Sequence, residues 1–140
     1  MQKTKPVSKL VFEAVLAIKK EIDSQPLQRK SIPQLISPYP FGRNILERNF
    51  KDITGKTIIR YQLEKRMEAA CELLQEGDMN IQQTAIRCGY RDQANFATDF
   101  KKIFKLSPSE WQRNYFDTTN KNNNESFAPM QISQQIVQKA

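Results

Sequence analysis

Apolar residues recur at helical spacing between residues 80 and 111, in two runs that a short polar turn separates. The first run places four small or apolar residues on or near one helical face: Ile81, Ala85, Ile86 and Cys88. The second run places four larger ones at i, i+4, i+7 and i+8: Phe96, Phe100, Ile103 and Phe104. The pattern therefore predicts two amphipathic helices whose apolar stripes face inward.

The turn between these helices has the residues that a tight corner requires. Gly89 ends the first helix, because glycine adopts the left-handed backbone of a C-terminal cap at little cost. Tyr90 fills the corner, and Asp92 is placed to cap the next helix with its carboxylate. The stretch thus reads as a helix-turn-helix.

The polar face of the second helix is graded along its length. Short and amide side chains stand near its N-terminus and lysines near its C-terminus: Gln93, Ala94, Ala97, Thr98, Lys101 and Lys102. This order suits a helix whose front end reads base edges while its back end meets phosphate.

Residues 31–57 look like an earlier copy of the same unit. The two copies align at Ile32 with Ile81, Phe41 with Tyr90, Leu46 with Phe96, Phe50 with Phe100, Lys51 with Lys101, and Asn49 with Asp99. The offset rises from 49 to 50 across the turn, which predicts that the second turn is one residue longer. An internal repeat of this length predicts two helix-turn-helix units.

The second unit resembles the second helix-turn-helix of AraC/XylS-type transcription regulators. The resemblance rests on Ala85, Cys88-Gly89-Tyr90, Asp92-Gln93, Phe96, Phe100-Lys101-Lys102, Phe104, Ser107-Pro108 and Trp111. It implies that residues 57–76 form a rigid linker helix between two DNA-reading units. The first unit departs from the family pattern at Ile36, where a small residue is usual, and at Gly42, where Ser or Thr is usual. Pro38 predicts a short first helix and an irregular turn.

Three further helices are expected around these units. A helix from Ser8 to about Asp23 should pack on the domain through Leu10, Val11, Ala14, Val15, Ile18 and Ile22. The linker helix should end at Gly77, and its acidic row should face away from DNA: Glu64, Glu68, Glu72 and Glu76. Ser107 to Glu110 is a capping signature that opens a closing helix, in which Trp111 should pack rather than stack on bases.

The fold prediction is therefore all-α, with two homeodomain-like helix-turn-helix subdomains joined by a long linker helix. The predicted ranges are an N-terminal helix and linker (1–30), an AraC-type DNA-binding domain (31–116) and a flexible tail (117–140). Within the domain they are a first unit (31–56), the linker helix (57–76), a second unit (80–105) and a closing helix (108–116). In the tail, residues 127–137 are read either as a short amphipathic docking helix or as a disordered end.

Charge and composition narrow the function. The net charge is +7, and residues 1–116 carry all of it, with 20 Lys/Arg against 13 Asp/Glu. This favours a polyanionic partner. The chain has no histidine, which removes histidine-based catalysis and histidine-ligated metal sites. We expect buried free thiols at Cys71 and Cys88, and no catalytic residue, metal or cofactor. No apolar run of 18 residues and no signal-peptide pattern is present, which predicts a cytoplasmic protein.

Positions on the two recognition helices assign candidate contacts to double-stranded DNA. For base readout these are Asn44, Glu47 and Arg48 in the first unit, and Gln93, Ala94, Ala97 and Thr98 in the second. Glu47 either accepts from cytosine or orients Arg48. For phosphate they are Arg43, Lys51, Arg91, Lys101, Lys102 and Lys105. Many family members carry Arg where Thr98 stands, so we expect the first unit to provide more of the specificity.

Two functional hypotheses remain. The first is a sequence-specific transcription regulator, an activator that also contacts RNA polymerase and binds an asymmetric site as a monomer. The second is a protein-interaction module that keeps the fold but binds DNA only weakly. An enzyme is a distant third. The family usually adds a ligand-sensing or dimerising domain, so the chain is read either as a fragment of a longer regulator or as a stand-alone member.

Overall fold

The computed structural model describes residues 6–121, and within that range it describes the side chains of residues 9–119. Every regular element in this part of the chain is a helix, which confirms the all-α prediction. The helices are α1 (Pro6–Ser24), α2 (Ile32–Ile36), α3 (Arg43–Thr54), α4 (Ile58–Glu76), α5 (Ile81–Arg87), α6 (Gln93–Phe104) and α7 (Pro108–Lys121).

The chain divides into two compact units, and the boundary falls inside α4, between Leu63 and Glu64. The first unit contains the helix pair α2–α3 and the second contains the pair α5–α6. Each pair is joined by a short connection and packs helix on helix. The prediction of two helix-turn-helix subdomains joined by a long linker helix is confirmed.

The core of the first unit forms where α1 packs on α3. Its buried residues are Val11, Ala14, Val15, Ile18, Ile22, Ile32, Leu35, Leu46, Phe50, Ile58 and Tyr61. The N-terminal helix therefore packs on the first unit, as expected. Two predictions about that helix were wrong. It begins at Pro6 rather than after Ser8, because proline suits a first helical turn, and Leu10 lies outside the buried stripe with 54% of its surface exposed.

In the first unit, α2 is held by a capping box. The Ser31 side chain accepts from the Gln34 backbone N–H, and the Gln34 side chain accepts from the Ser31 backbone N–H. The helix has only 5 residues and ends at Ile36. This confirms the short helix. Ser37 still has helical backbone and donates to the Pro33 carbonyl at 2.9 Å, but Pro38 has no backbone N–H to donate the next helical hydrogen bond.

In the second unit, Asn80 and Gln83 form the equivalent capping box. The helix α5 has 7 residues, two more than α2, and Gly89 adopts a φ of 88° beyond its end. Five residues then connect α5 to α6, whereas six connect α2 to α3. The prediction of a longer second turn was therefore wrong: the extra residue extends the helix, because no proline stops it early. Ile86 was also misplaced, since 57% of its surface is exposed.

The two recognition helices end in the same way. Both α3 and α6 have 12 residues, and each is followed by a residue in left-handed backbone. That residue is Gly55 with a φ of 83° in the first unit and Lys105 with a φ of 68° in the second. At their N-termini, Asp92 caps α6 by accepting from the Asn95 backbone N–H, as predicted, while Gly42 offers α3 no side-chain cap.

The linker helix α4 buries the apolar positions that the sequence predicted: Ile58, Leu63, Met67, Ala70, Cys71 and Leu74. It runs from Ile58 to Glu76 and is followed by Gly77 with a φ of 73°. The glutamates of its acidic row differ in exposure. Glu64 is 2% exposed, so it is a core position, whereas Glu72 and Glu76 are exposed.

The closing helix α7 opens at the predicted capping box, in which Ser107 and Glu110 exchange hydrogen bonds of 3.0 and 3.1 Å. Trp111 is buried and packs edge-to-face on Phe100, so its assignment to packing is confirmed. The helix reaches Lys121, five residues beyond the predicted end at 116. No glycine or proline interrupts residues 117–121, so the helix propagates through them. The predicted segment 127–137 lies outside the described residues.

The repeat generates a reciprocal prediction about the two left-handed positions. Gly55→Ala should lower the free energy of unfolding by about 1 kcal/mol, because a Cβ there meets open space and only backbone strain is added. Lys105→Gly should raise it by a similar amount, since the same strain is removed. Urea denaturation followed by circular dichroism measures both. A change of the same sign in the two variants would contradict the view that left-handed backbone strain decides stability at both positions.

Candidate nucleic-acid interface

The outer face of α3 presents polar side chains because its opposite face is anchored in the core. Leu46 and Phe50 are fully buried, and Phe50 packs edge-to-face on Tyr61 at 5.5 Å between ring centroids. Asn44, Arg48 and Lys51 are exposed at i, i+4 and i+7. This spacing places them on one side of the helix, which agrees with the prediction for Asn44 and Arg48 and adds Lys51 to the same side.

Glu47, the third base-readout candidate on α3, forms an ion pair within the helix. The carboxylate of Glu47 accepts from Nε of Arg43 at 2.8 Å, so it pairs with Arg43 rather than orienting Arg48. The two residues are one helical turn apart, which makes this ion pair geometrically easy. Ile45, next to the fully buried Leu46, is 40% exposed. Asn49 is half-buried and its amide donates to the Ile45 carbonyl at 2.8 Å.

The outer face of α6 carries smaller side chains than the outer face of α3. Gln93, Ala94 and Thr98 are exposed and Ala97 is half-buried. The Thr98 hydroxyl donates to the Ala94 carbonyl at 3.0 Å, so its hydrogen is engaged within the helix. This surface has one amide and several small groups, so it offers fewer hydrogen bonds than the outer face of α3.

The basic side chains cluster around the ends of α6. Arg91 is exposed just before the helix, and Lys101, Lys102 and Lys105 are exposed at its C-terminal end. The Lys105 ammonium donates to the Lys102 carbonyl at 3.3 Å. A cation at this end of a helix is favoured by the macrodipole, so the positive charge also has a structural role.

A partly buried hydrogen-bond chain that joins α6 to the turn before it was missed by sequence reasoning. The Tyr90 hydroxyl donates to Oδ2 of Asp99 at 2.6 Å, and Nε of Arg66 donates to the Tyr90 hydroxyl at 3.4 Å. Burial, reinforced by the Asp99 hydrogen bond, raises the pKa of Tyr90 to about 12. Asp99 also lies 3.9 Å from Nζ of Lys102. The signal was present in the repeat, where Phe41 and Asn49 replace Tyr90 and Asp99.

Both cysteines are free and buried, which confirms the expectation of buried free thiols. Burial raises the pKa of Cys88 from 9.0 to about 11, against the smaller opposing effect of nearby arginines. Across residues 6–121, no three His, Cys, Asp or Glu residues are grouped closely enough to hold a metal ion. Within the same residues, no helix combines the length and the apolar character that a membrane span requires.

Comparison with known proteins places this geometry in a family. Residues 41–114 match a family model described as a helix-turn-helix domain. The chain is 39% identical over 69 residues, 49% of its length, to the probable transcription factor PqrA of Proteus vulgaris. It is 34% identical over 70 residues, 50% of its length, to the transcriptional activator RhaR of Mannheimia succiniciproducens. The matched segments cover 57% and 25% of those two proteins.

The fold is also found among solved structures. The DNA-binding domain of AdpA, determined in complex with a target DNA, superposes with a TM-score of 0.69 at 18% identity. The match covers 80% of this chain and 98% of that domain. The chain belongs to the AraC/XylS-type family of transcription regulators and contains the helix-turn-helix DNA-binding domain of that family.

The buried thiol generates a prediction about alkaline stability. Because the pKa of Cys88 is higher in the folded state, the unfolded chain releases this proton first as the pH rises above 9. The contribution of the neutral thiol to the free energy of unfolding is fully present below pH 9. It falls by roughly 2 to 3 kcal/mol as the pH rises towards 11. Urea denaturation from pH 8 to 11 should show a steeper loss in wild type than in Cys88→Ala. Parallel losses in the two proteins would contradict this effect.

Proposed function

We propose that this domain binds double-stranded DNA sequence-specifically and regulates transcription, with α3 and α6 in adjacent major grooves of one asymmetric site. The observation that supports this most is the repeat itself. Two helices of 12 residues each bury an apolar stripe and expose a polar, basic outer face. Successive major grooves on one side of a duplex lie about 34 Å apart. A monomer with two readers then needs no palindromic site.

In this proposal the first unit supplies most of the sequence readout. Arg48 donates its two-pronged guanidinium to guanine, and Asn44 pairs with adenine. Both side chains are exposed on α3. Glu47, engaged by Arg43 at 2.8 Å, accepts from cytosine only if that ion pair opens, so its direct readout is the weakest of the three.

The second unit reads shape and methyl groups more than hydrogen bonds. Gln93 is the one amide available to adenine, while Ala94, Ala97 and Thr98 suit thymine methyl groups. Phosphate contacts then hold the domain in register without reading sequence. The candidates for these contacts are Arg43, Lys51, Arg91, Lys101, Lys102 and Lys105.

In the proposed biological role, the domain activates transcription through contact with RNA polymerase. It acts as a monomer in the cytoplasm, without enzymatic activity. The similarity to a protein named as a transcriptional activator supports activation over repression. The division into an N-terminal helix and linker (1–30), a DNA-binding domain (31–116) and a C-terminal segment (117–140) that begins within α7 belongs to the same proposal.

The alternative is a protein-interaction module with only weak or nonspecific DNA binding. The small outer face of α6, with Ala94, Ala97 and Thr98, is the observation that favours it. Salt-dependent binding to duplex DNA separates the two functions.

Selection from a random duplex pool, followed by fluorescence anisotropy with the winning sequence, tests the main proposal. Two enriched blocks one helical turn apart are expected, and failure to bind at moderate salt would overturn it.

The strongest single-residue prediction concerns Arg48. Arg48→Ala should weaken binding to the selected site by about 5- to 150-fold, equivalent to about 1–3 kcal/mol, and should relax the preference at one position. Anisotropy and a repeat selection measure the two effects. The control is Lys20→Ala, which removes the same charge from an exposed position on α1. Equal losses in both variants would show that Arg48 contributes charge but no readout.

Lys101 should behave in the opposite way. Lys101→Ala should weaken binding to selected and unrelated duplexes by the same factor, because phosphate carries no sequence information. The slope of log affinity against log salt concentration should fall by about 0.9. Anisotropy titrations at four salt concentrations measure it. A loss confined to the selected site would instead make Lys101 a base reader.

A further inference from the structure

Asp99 is an unusual residue on the basic side of α6. Lys101 and Lys102 lie two and three residues after it, and its side chain is 25% exposed. One carboxylate oxygen accepts from the Tyr90 hydroxyl at 2.6 Å, and the other lies 3.9 Å from the Lys102 ammonium. The carboxylate therefore bridges the interior of the second unit and one of its candidate phosphate-binding side chains.

The inner end of this bridge is firmly held. Tyr90 is 4% exposed, and its ring packs edge-to-face on Phe96 at 5.5 Å between centroids. The Arg66 guanidinium lies 5.6 Å from the centre of the Tyr90 ring, and Arg66 is itself buried. A buried tyrosine of this kind leaves its acceptor little freedom to move. Asp99 is thus fixed next to the reading surface, whereas Lys102 is a flexible side chain that is 56% exposed.

The first unit provides an internal comparison. At the positions that correspond to Tyr90 and Asp99 it has Phe41 and Asn49, so both the hydroxyl donor and the carboxylate are missing. The Asn49 amide instead donates to the Ile45 carbonyl on its own helix. The hydroxyl and the carboxylate occur together in one copy and are replaced together in the other, as expected if they work as a pair.

We propose that Asp99 limits the affinity of the second recognition helix for DNA by neutralising Lys102, with Tyr90 and Arg66 as positioning residues. This rests on the proposed DNA-binding function. A lysine that neutralises a phosphate must give up its carboxylate partner, so its net contribution is smaller than that of a free lysine. The fixed negative charge also repels phosphate in its neighbourhood. Sequence-independent binding by α6 is thereby kept weak, and the base contacts account for a larger share of the total affinity.

The test is Asp99→Asn, which removes the charge but keeps an oxygen that accepts from the Tyr90 hydroxyl. Affinity for selected and unrelated duplexes should rise together, by about three- to tenfold near 0.1 M salt, and the salt slope should become steeper by up to about 0.9. Glu72→Gln is the matched control, because it removes one exposed carboxylate from α4. Asp99→Ala serves as a second variant, and thermal unfolding verifies that each protein folds.

Lys102→Gln completes a double-mutant cycle. If Asp99 acts through Lys102, this change should cost more affinity in the Asp99→Asn background than in wild type, and Asp99→Asn should alter the salt slope less when Lys102 is absent. Equal effects of Asp99→Asn and Glu72→Gln would overturn the proposal, since net charge would then explain both. Weaker binding of folded Asp99→Asn and Asp99→Ala would also overturn it. Absence of DNA binding in wild type would instead reject the proposed function itself.

Discussion

The burial of one phenylalanine on each recognition helix is the constraint on which the rest of the structure depends. Phe50 and Phe100 are fully buried, and each contacts an aromatic ring from a neighbouring element, Tyr61 and Trp111 respectively. A helix anchored in this way cannot rotate without exposing a large apolar surface, which costs about 25 cal/mol per Å². Its outer face is therefore set by its inner face. The candidate DNA contacts at Arg48 and Lys101 are exposed because the phenylalanine one or two residues away on the same helix is buried.

The two units reach this common geometry with different local chemistry. The first has Pro38 after a helix of 5 residues, a glycine cap before α3 and an amide at Asn49. The second has a longer α5, a carboxylate cap before α6, and Asp99 tied to Tyr90. The differences fall on caps, turns and polar positions, while the apolar anchors keep their spacing. This is the pattern expected if the shared fold requires the core and each unit has been adjusted separately for its surface.

Electrostatics distinguishes the two proposed reading surfaces. On α3 an acidic side chain pairs with a basic side chain near the N-terminus of the helix, where Glu47 accepts from Arg43. On α6 the acid sits at the back, between the buried Tyr90 and the exposed Lys102. In the proposed function, the first arrangement restrains a base reader and the second restrains a phosphate contact. Both keep the basic charge on each helix below what a count of lysines and arginines suggests, because each pair must open before its cation is fully available.

Much of this protein could be predicted from the sequence alone, because its signals are local. Helical spacing identified the buried stripe of α6, Gly89 and Asp92 identified the turn, and the Ser107–Glu110 pair identified the start of α7. The internal repeat was sufficient to predict two units. The tertiary structure was needed wherever a residue's environment comes from a distant segment. Glu64 is buried although Glu72 and Glu76 in the same acidic row are exposed, and Tyr90 holds Asp99 from across the turn with Arg66 behind it. Periodicity assigns a face to a residue, but it does not say what another helix places against that face. Those partners are set only when the chain folds.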